Sequence, residues 1–579
     1  MKTKLLYSIL VFGTIFQIYA QETTNLIKPS PNDSKKSALS LKLEDKLETK
    51  YAVGLENNLK KNSLTTQTKL PYPIIFIHGL NSSSSTWDAT KNKLITSFGL
   101  TYGGRFDANL NYDNSFVTSN SLNDAHLYNS TNSTVSGGDF YMVNFAVNSG
   151  GVINLDANGS INENCSNLSN QSAIAKQGYI LKDIIMSVMQ LTGKTKVVLM
   201  GHSMGGLTSR EYLQNTSNWQ IDGLPHIAKL ATTGTPHGGS NMTDGGLFSG
   251  IDFSSEAIRD LKKLSVYLEG GFESSVSTSY YNKDVNCNGT NSDGLILGLN
   301  QRTIFSNIDY SCVIGTALSI FGVGGDGAVT VSSANLNNAN SGYSNLTQNI
   351  FSVFKVHTAL GGDWYTVMQA IDEPNEFSLS YGVSLNNPSV YYGFNSEQSS
   401  LSPYVNDYDD YKFSVSSNSN ISISINKPSA LNLNARLVSS SLTQIGSSYS
   451  NNGGSSINFT VNNLPQGDYY LEIYGLPTAN TISQYSFGLS STLSSPDLTS
   501  ADLLKIYPNP TSSKVNFDNS IEKFETATVI NYLGQVVDEI NFYSFDSNQE
   551  VDLSSFTAGV YLIKFSNKDK SISKKIIKE

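Results

Sequence analysis

Two different periods of apolar residues divide the chain. Between residues 72 and 372, short β-branched and aromatic runs alternate with helical patterns. PIIFIHGL (73–80), KVVLM (196–200), KLATTG (229–234) and YSCVIGTAL (310–318) are nearly continuous apolar runs, as expected of strands covered on both faces. Helices are expected near Trp87–Ser97, over Ser172–Gly193, from the residue after Ser203 through Leu213, and over DWYTVMQAI (363–371). In the second of these Leu181, Ile184, Val188 and Leu191 share one face and Gly193 supplies the stop. Strands alternating with helices predict a mostly parallel sheet with helices on both faces. Two Asn-, Ser- and Gly-rich insertions interrupt it. Residues 99–170 hold one clear strand, Tyr141–Val147, and 240–305 hold the amphipathic stretch Ile258, Leu261, Leu264, Leu268. That stretch fits core packing better than a lid helix, though both readings stay open.

After Asp372 the period becomes two. YKFSV (411–415), ISISI (421–425), YYLEIYG (469–475) and YSFGL (485–489) alternate apolar with polar between Asn, Ser and Gly turns, which predicts an antiparallel β-sandwich over 373–495. A Ser-rich linker follows (490–500), then a small all-β unit over 501–579. The expected fold is therefore multidomain: an α/β domain at 70–372 followed by two all-β sandwich domains.

Composition narrows the function classes. A length of 579 residues is too great for one domain, and a net charge of −10 argues against nucleic-acid partners. MKTKLLYSILVFGTIFQIYAQ reads as a secretory signal peptide cleaved after Ala20, with a polar linker at 21–69 carrying one short helix near Leu39–Leu47. No later segment is apolar enough to span a bilayer, so no transmembrane segment is expected after signal removal. Of three cysteines (Cys165, Cys287, Cys312), one pair can form in an oxidising compartment, Cys287–Cys312 closing the shorter loop. In DVNCNGTNSDG (284–294) the spacing of Asp284, Asn286 and Asn288 imitates the start of a calcium loop, but Leu295 stands where a bidentate Glu belongs. No metal or cofactor is expected.

The candidate chemistry lies in KVVLMGHSMGGL (196–207). A serine with glycines two places either side, directly after a buried strand, has the form of a nucleophile elbow. A serine hydroxyl needs an imidazole base, and the base an acid that fixes its tautomer, in the chain order Ser, acid, His. Downstream of Ser203 the histidines are His226, His237 and His357. Only His357 lies between the last strong strand and the closing helix. Asp222, Asp244, Asp252, Asp260, Asp284, Asp293 and Asp309 precede the strand at 310–318, whereas Asp326 follows it between two glycines. Ser203, Asp326 and His357 are the expected triad. The backbone N–H groups of Met204, next after the nucleophile, and of Leu80, in the turn of IHGL, are the expected oxyanion donors.

IIFIHGL, GHSMGGL, TTGTPHGGS and DGAVTVSSA, in that order, resemble the α/β-hydrolase lipases and carboxylesterases. The resemblance implies the same five site residues, with His237 a structural member of a TPH turn. DEPN (372–375), NDYDDYKFSV and LPQGDYYLEIYG resemble the pre-peptidase C-terminal domains of secreted bacterial hydrolases, implying an accessory module. YPNP (507–510), NYLGQVV, FTAGVYLIKF and the Lys-rich end resemble the C-terminal sorting domain of type IX secretion substrates, implying contact with the secretion machinery and a secreted or surface location. The expected activity is that of a secreted serine ester hydrolase forming an acyl-enzyme on lipid or other carboxylic esters. An amidase or thioesterase on the same triad, or a binding protein with an inactive hydrolase domain, are the alternatives.

Overall fold

Ile74–Ile77 (β1) is buried throughout because its alternate residues belong to different layers. Ile74 and Phe76 join one hydrophobic cluster, Ile75 and Ile77 the other. The structure is a computed structural model describing residues 68–579, other than 111–125, 129–134, 147–168, 242–254, 273–284, 288–293, 321, 348, 401–403 and 494–503. The expected signal peptide, the expected short helix near Leu39–Leu47 with the rest of the segment to residue 67, Cys165 and most of 284–294 lie outside the described residues.

Around β1 an eight-stranded sheet is built from Tyr102–Asn109 (β2), His126–Tyr128 (β3), Phe140–Asn144 (β4), Val197–His202 (β5), Ile227–Thr233 (β6), Asp309–Gly315 (β7) and Asn349–Val353 (β8). The order is β8-β7-β6-β5-β1-β4-β2-β3. All neighbours are parallel except β2 and β3. Asp88–Thr96 (α1) and the closing helix Trp364–Ile371 (α6) cover one face. Ile174–Thr192 (α2) and Met204–Gln214 (α3) cover the other. After α3 in sequence come the short helices Glu256–Leu261 (α4) and Val266–Glu269 (α5).

Three details depart from the expectations. β2 (YGGRFDAN) and β8 (NIFSV) were not expected as strands: two glycines with charged residues mask the first, and the half-exposed edge position of the second blurs its alternation. YSCVIGTAL is not one strand, because after Gly315 the chain turns into a hairpin of Leu318–Ile320 with Val323–Gly325. Cys287 and Cys312 form no bridge with one another. Both are buried thiols, and Cys312 sits inside β7 with its sulfur against the Thr232 hydroxyl at 3.5 Å.

The sandwich comprises a five-stranded sheet and a four-stranded sheet. Its strand Ser419–Asn426 alternates buried and outward residues along ISISI, as the period-two pattern predicts. It is not an appended bead. One continuous cluster runs from Ile74, Phe76 and Met200 through Val367 and Met368 of α6, then by Tyr72 and Tyr381 into Tyr411, Ile421 and Leu471 of the sandwich. Gly382 N–H donates to the Tyr72 hydroxyl (3.0 Å), and the Gln484 amide donates to the Phe98 carbonyl (2.9 Å).

The chain divides into two units, Met1–Ser491 and Thr492–Glu579. The second is a small β unit of a three-stranded and a four-stranded sheet around Val515, Phe517, Val529, Ile563 and Phe565.

Candidate active site

Ser203 stands between the end of β5 and the start of α3 with φ 54° and ψ −127°, a region that an L-residue occupies at a cost of about 1–3 kcal/mol. The surroundings hold it there. Ser203 N–H donates to the Thr233 carbonyl at 2.9 Å. Gly205 lets the first turn of α3 abut β1, since a Cβ at that position would lie 2.4 Å from the Ile77 oxygen.

His357 and Asp326 come from loops beyond β8 and β7. The Gly315 end of β7 lies directly against Asp326, where a Cβ on Gly315 would meet the Asp326 Cβ at 2.6 Å. His357 Nε2 is 2.8 Å from Ser203 Oγ, and its Nδ1 is 2.7 Å from Asp326 Oδ2. Asp326 Oδ1 accepts from the N–H groups of Ala328 (2.9 Å) and Val329 (2.7 Å). Burial works to raise this carboxyl, but the hydrogen bond and charge of His357 and the two backbone donors outweigh it, and the pKa is lowered. An ionised carboxylate only accepts, so Nδ1 of His357 carries the ring proton and Nε2 is left to accept from Ser203. The three residues thus form one hydrogen-bonded chain.

Leu80 follows Gly79, which abuts Ser203, and Met204 follows Ser203 as the first residue of α3. The insertion packs on them: Ala257 and Leu261 of α4, Tyr267 and Leu268 of α5, and Leu299 cluster with Ile174, Met204 and Leu207, and Leu80 lies against that cluster. Ile258, Leu261 and Leu268 are therefore core, whereas Leu264 adopts φ 62° between the two helices and is exposed. Buried ion pairs tie the insertion down, Lys176 to Glu256 (3.2 Å) and Arg302 to Glu211 (2.6 Å). Glu256 and Asp260 also accept from the first N–H groups of α2, Ala173 and Ile174. His237 is buried between Thr232 and Arg210, away from the triad. His226 pairs with Asp222 at 2.8 Å, away from it as well.

The residue pattern did not reveal two histidines that border the triad. His78 Nε2 accepts from Phe145 N–H at 2.9 Å, so its Nδ1 carries the proton and donates to the Gly79 carbonyl, also at 2.9 Å. This fixes the Gly79–Leu80 peptide. His202, read only as the variable residue of the elbow, reaches the backbone of His357. Gly79 itself faces the nucleophile, where a Cβ would lie 2.6 Å from the Ser203 Cβ and 3.1 Å from its Oγ. Gly79→Ala is expected to lower kcat about 100-fold by displacing Oγ. Steady-state kinetics on a soluble ester check this, and an unchanged kcat would mean that the elbow relaxes freely.

A second set of titratable groups lies at the junction of α6 and the sandwich. Asp372, Asp407 and Asp409 each offer a carboxylate oxygen, all within 4.8 Å of one another, a spacing suited to an oxygen-bound divalent cation. Asp409 Oδ1 is buried with no hydrogen-bond partner, and Asp372 and the adjacent Glu373 hydrogen-bond to one another through their carboxyl groups. Burial raises all four carboxyls, and neighbouring carboxylates push those of Glu373, Asp407 and Asp409 higher still. Lys229 Nζ closes one side, 2.7 Å from Asp309 Oδ2 and 2.7 Å from the Asp372 carbonyl.

Three family models match parts of the chain: the PGAP1-like alpha/beta domain over 156–258, the bacterial pre-peptidase C-terminal domain over 407–475, and the secretion system C-terminal sorting domain over 505–579. The last indicates type IX export to the cell surface or the extracellular space and engagement with that secretion machinery. No helix among the described residues is long and apolar enough to cross a membrane. Among solved structures, a lipase of Bacillus licheniformis in its propeptide form is 15% identical over 89% of this chain and 95% of its own, with a TM-score of 0.27. Its mature form is 18% identical over 53% and 93%, with a TM-score of 0.26. A thermophilic esterase from Thermogutta terrifontis is 12% identical over 53% and 89%, with a TM-score of 0.22. With scores this low, the α/β-hydrolase-like fold rests on the sheet order and elbow described above.

Proposed function

We propose that the chain is an exported serine hydrolase that cleaves carboxylic esters, lipid esters foremost, through an acyl-enzyme on Ser203. The observation that carries this reading is the unbroken chain Ser203 Oγ, His357 Nε2, His357 Nδ1, Asp326 Oδ2, with links of 2.8 and 2.7 Å. In the reaction Ser203 Oγ attacks the ester carbonyl carbon while its proton passes to His357 Nε2. The oxyanion is held by the N–H groups of Met204 and Leu80, each worth roughly 3 kcal/mol in the barrier. Collapse breaks the carbon–alkoxide bond, and His357 returns the proton to the departing alcohol. Water then attacks the acyl-enzyme by the same route, releasing the acid and restoring Ser203. Asp326 stays ionised and steadies the imidazolium.

The rim supports a lipid substrate. Phe354 and Val356, just before His357, and Leu318, Val323 and Val331, around Asp326, are all exposed apolar residues, with Phe354 80% exposed. The Ala317 N–H reaching the Lys355 carbonyl holds the two groups side by side. Hydrolysis of p-nitrophenyl esters from acetyl to palmitoyl tests the reading, with turnover expected to favour medium or long chains. A folded protein that turned over none of them would remove it and direct attention to amides and thioesters. Phe354→Asp is expected to lower hydrolysis of an emulsified long-chain ester by about tenfold, as loss of one buried aromatic contact implies. Its rate on soluble acetyl ester should stay unchanged. Equal losses on both would mean that the rim does not meet the lipid.

A further inference from the structure

We propose that His202, the residue before the nucleophile, is a positioning residue that holds the base: its neutral imidazole donates a hydrogen bond to the His357 carbonyl while its ring braces the His357 ring. This rests on the ester-hydrolase reading of the site and assigns a role to a residue that the elbow motif leaves unspecified and the triad does not include.

His202 Nε2 lies 2.9 Å from the His357 carbonyl oxygen. A carbonyl only accepts, so Nε2 must carry the proton. The two rings lie 4.9 Å apart between centroids at 41°, and on its other side His202 meets Trp87 edge-on at 6.3 Å. Trp87 is wholly buried. His202 therefore lies between the buried Trp87 indole and the His357 ring. The Nδ1 atom is buried and has no hydrogen-bond partner, so a second proton there would be an uncompensated buried charge. Burial first, then the neighbouring His357, pushes the pKa down to about 3. The titratable groups facing the ring are His357, Asp326 and His78. A neutral neighbour leaves the imidazolium that forms on His357 during catalysis without a competing positive charge.

The arrangement bridges two parts of the chain 155 positions apart in sequence. His202 ends β5 and pairs in register with Thr233 of β6, so the strand that delivers the nucleophile also anchors the base. The N–H of His357 donates to the Asp326 carbonyl at 2.9 Å, and its C=O accepts from His202, which fixes the backbone from the acid side and the elbow side together. Before His357 the chain is exposed at Phe354 and Val356 and has little packing of its own. The Oγ–Nε2 separation of 2.8 Å is held by these two bonds together with the Asp326 Oδ2 contact to Nδ1 and with the Leu360 N–H, which donates to the same carbonyl at 3.3 Å; a displacement of about 1 Å at a reacting pair costs about 100-fold in rate.

The test compares His202→Phe, which fills the ring's place without an N–H, with His202→Gln, whose amide nitrogen can occupy the Nε2 position. Both are assayed as full-length protein on p-nitrophenyl butyrate, beside the wild type and Ser203→Ala. His202→Phe is expected to lower kcat about 100-fold with KM within about twofold, and His202→Gln to recover all but about fivefold of the loss. In the wild type the acid limb of log kcat/KM against pH should not steepen to slope two, because the buried His202 stays neutral there and adds no second protonation. His202→Phe within about threefold of wild-type kcat, no recovery by Gln, or a slope of two would each overturn the proposal; the slope needs no variant to fold. Failure of the underlying reading looks different, since the wild type would then hydrolyse no ester or Ser203→Ala would remain active.

Discussion

Ser203→Ala is expected to lower kcat for ester hydrolysis by about 10⁵- to 10⁶-fold while leaving KM and folding almost unchanged, and Asp326→Asn by about 10⁴-fold. The two losses have different causes. Removing Oγ removes the atom that forms the acyl bond, and what survives is the contribution of the oxyanion donors and of substrate binding. At Asp326 the local hydrogen bonds decide the outcome. Oδ1 is committed to the N–H groups of Ala328 and Val329, so an asparagine keeps its oxygen there and turns its NH₂ toward His357 Nδ1. The ring must then carry its proton on Nε2, where it can no longer accept from Ser203. Kinetics on p-nitrophenyl butyrate, with circular dichroism to show that each variant folds, check both effects. More than about 1% of wild-type kcat in Ser203→Ala would place the nucleophile elsewhere.

The second large effect concerns stability. In chelator, the unit carrying Asp372, Glu373, Asp407 and Asp409 should lose stability as pH rises from about 4, the unfolded carboxyl pKa. These acids have raised pKa values in the fold, so above pH 4 the folded state holds protons that the unfolded state has released. Stability is then greatest at low pH and declines until the folded acids ionise. Each acid that keeps its proton only in the fold costs about 1.4 kcal/mol for every pH unit climbed. Asp409→Asn removes one of these acids and is expected to raise Tm at pH 7.5 by roughly 3 °C or more. Millimolar calcium, supplying the counter-charge that the three converging carboxylates lack, should flatten the wild-type slope and have little effect on the variant. Scanning calorimetry between pH 4 and 8 reads all three effects. A wild-type Tm that climbed with pH in chelator would mean that the cluster ionises at no cost.

How much of this could be read in advance depended on whether a residue's partner is close in sequence or implied by chemistry. Ser203, Asp326 and His357 were legible because nucleophile, acid and base must follow a fixed order and few residues of the right type occupied the right intervals. The structure brings those three together, and their roles remain for the kinetics above. The buried strands were legible for a similar reason, since covering both faces demands an apolar run. β2 was not, because YGGRFDAN becomes a strand through its neighbours β3 and β4 rather than through its own composition. Leu264 fitted the helical spacing of 258–268, yet Ser265 caps a new helix by accepting from Leu268 N–H, and the break turns Leu264 outward. His78 and His202 depend on partners 67 and 155 residues away, and no local pattern carries that information.

The cluster that runs unbroken from the central sheet through α6 into the sandwich bears on how such a chain can be inherited. Modules joined by linkers can be gained, lost or exchanged between genes while each keeps its own fold. This sandwich does not meet that condition: Tyr72, Tyr381, Val367 and Met368 belong to a single hydrophobic mass shared by both partners. A gene that lost the segment for 373–495 would open the Tyr72, Val367 and Met368 side of that mass to water. Selection on the packing of the α/β domain therefore also acts on strands of the sandwich.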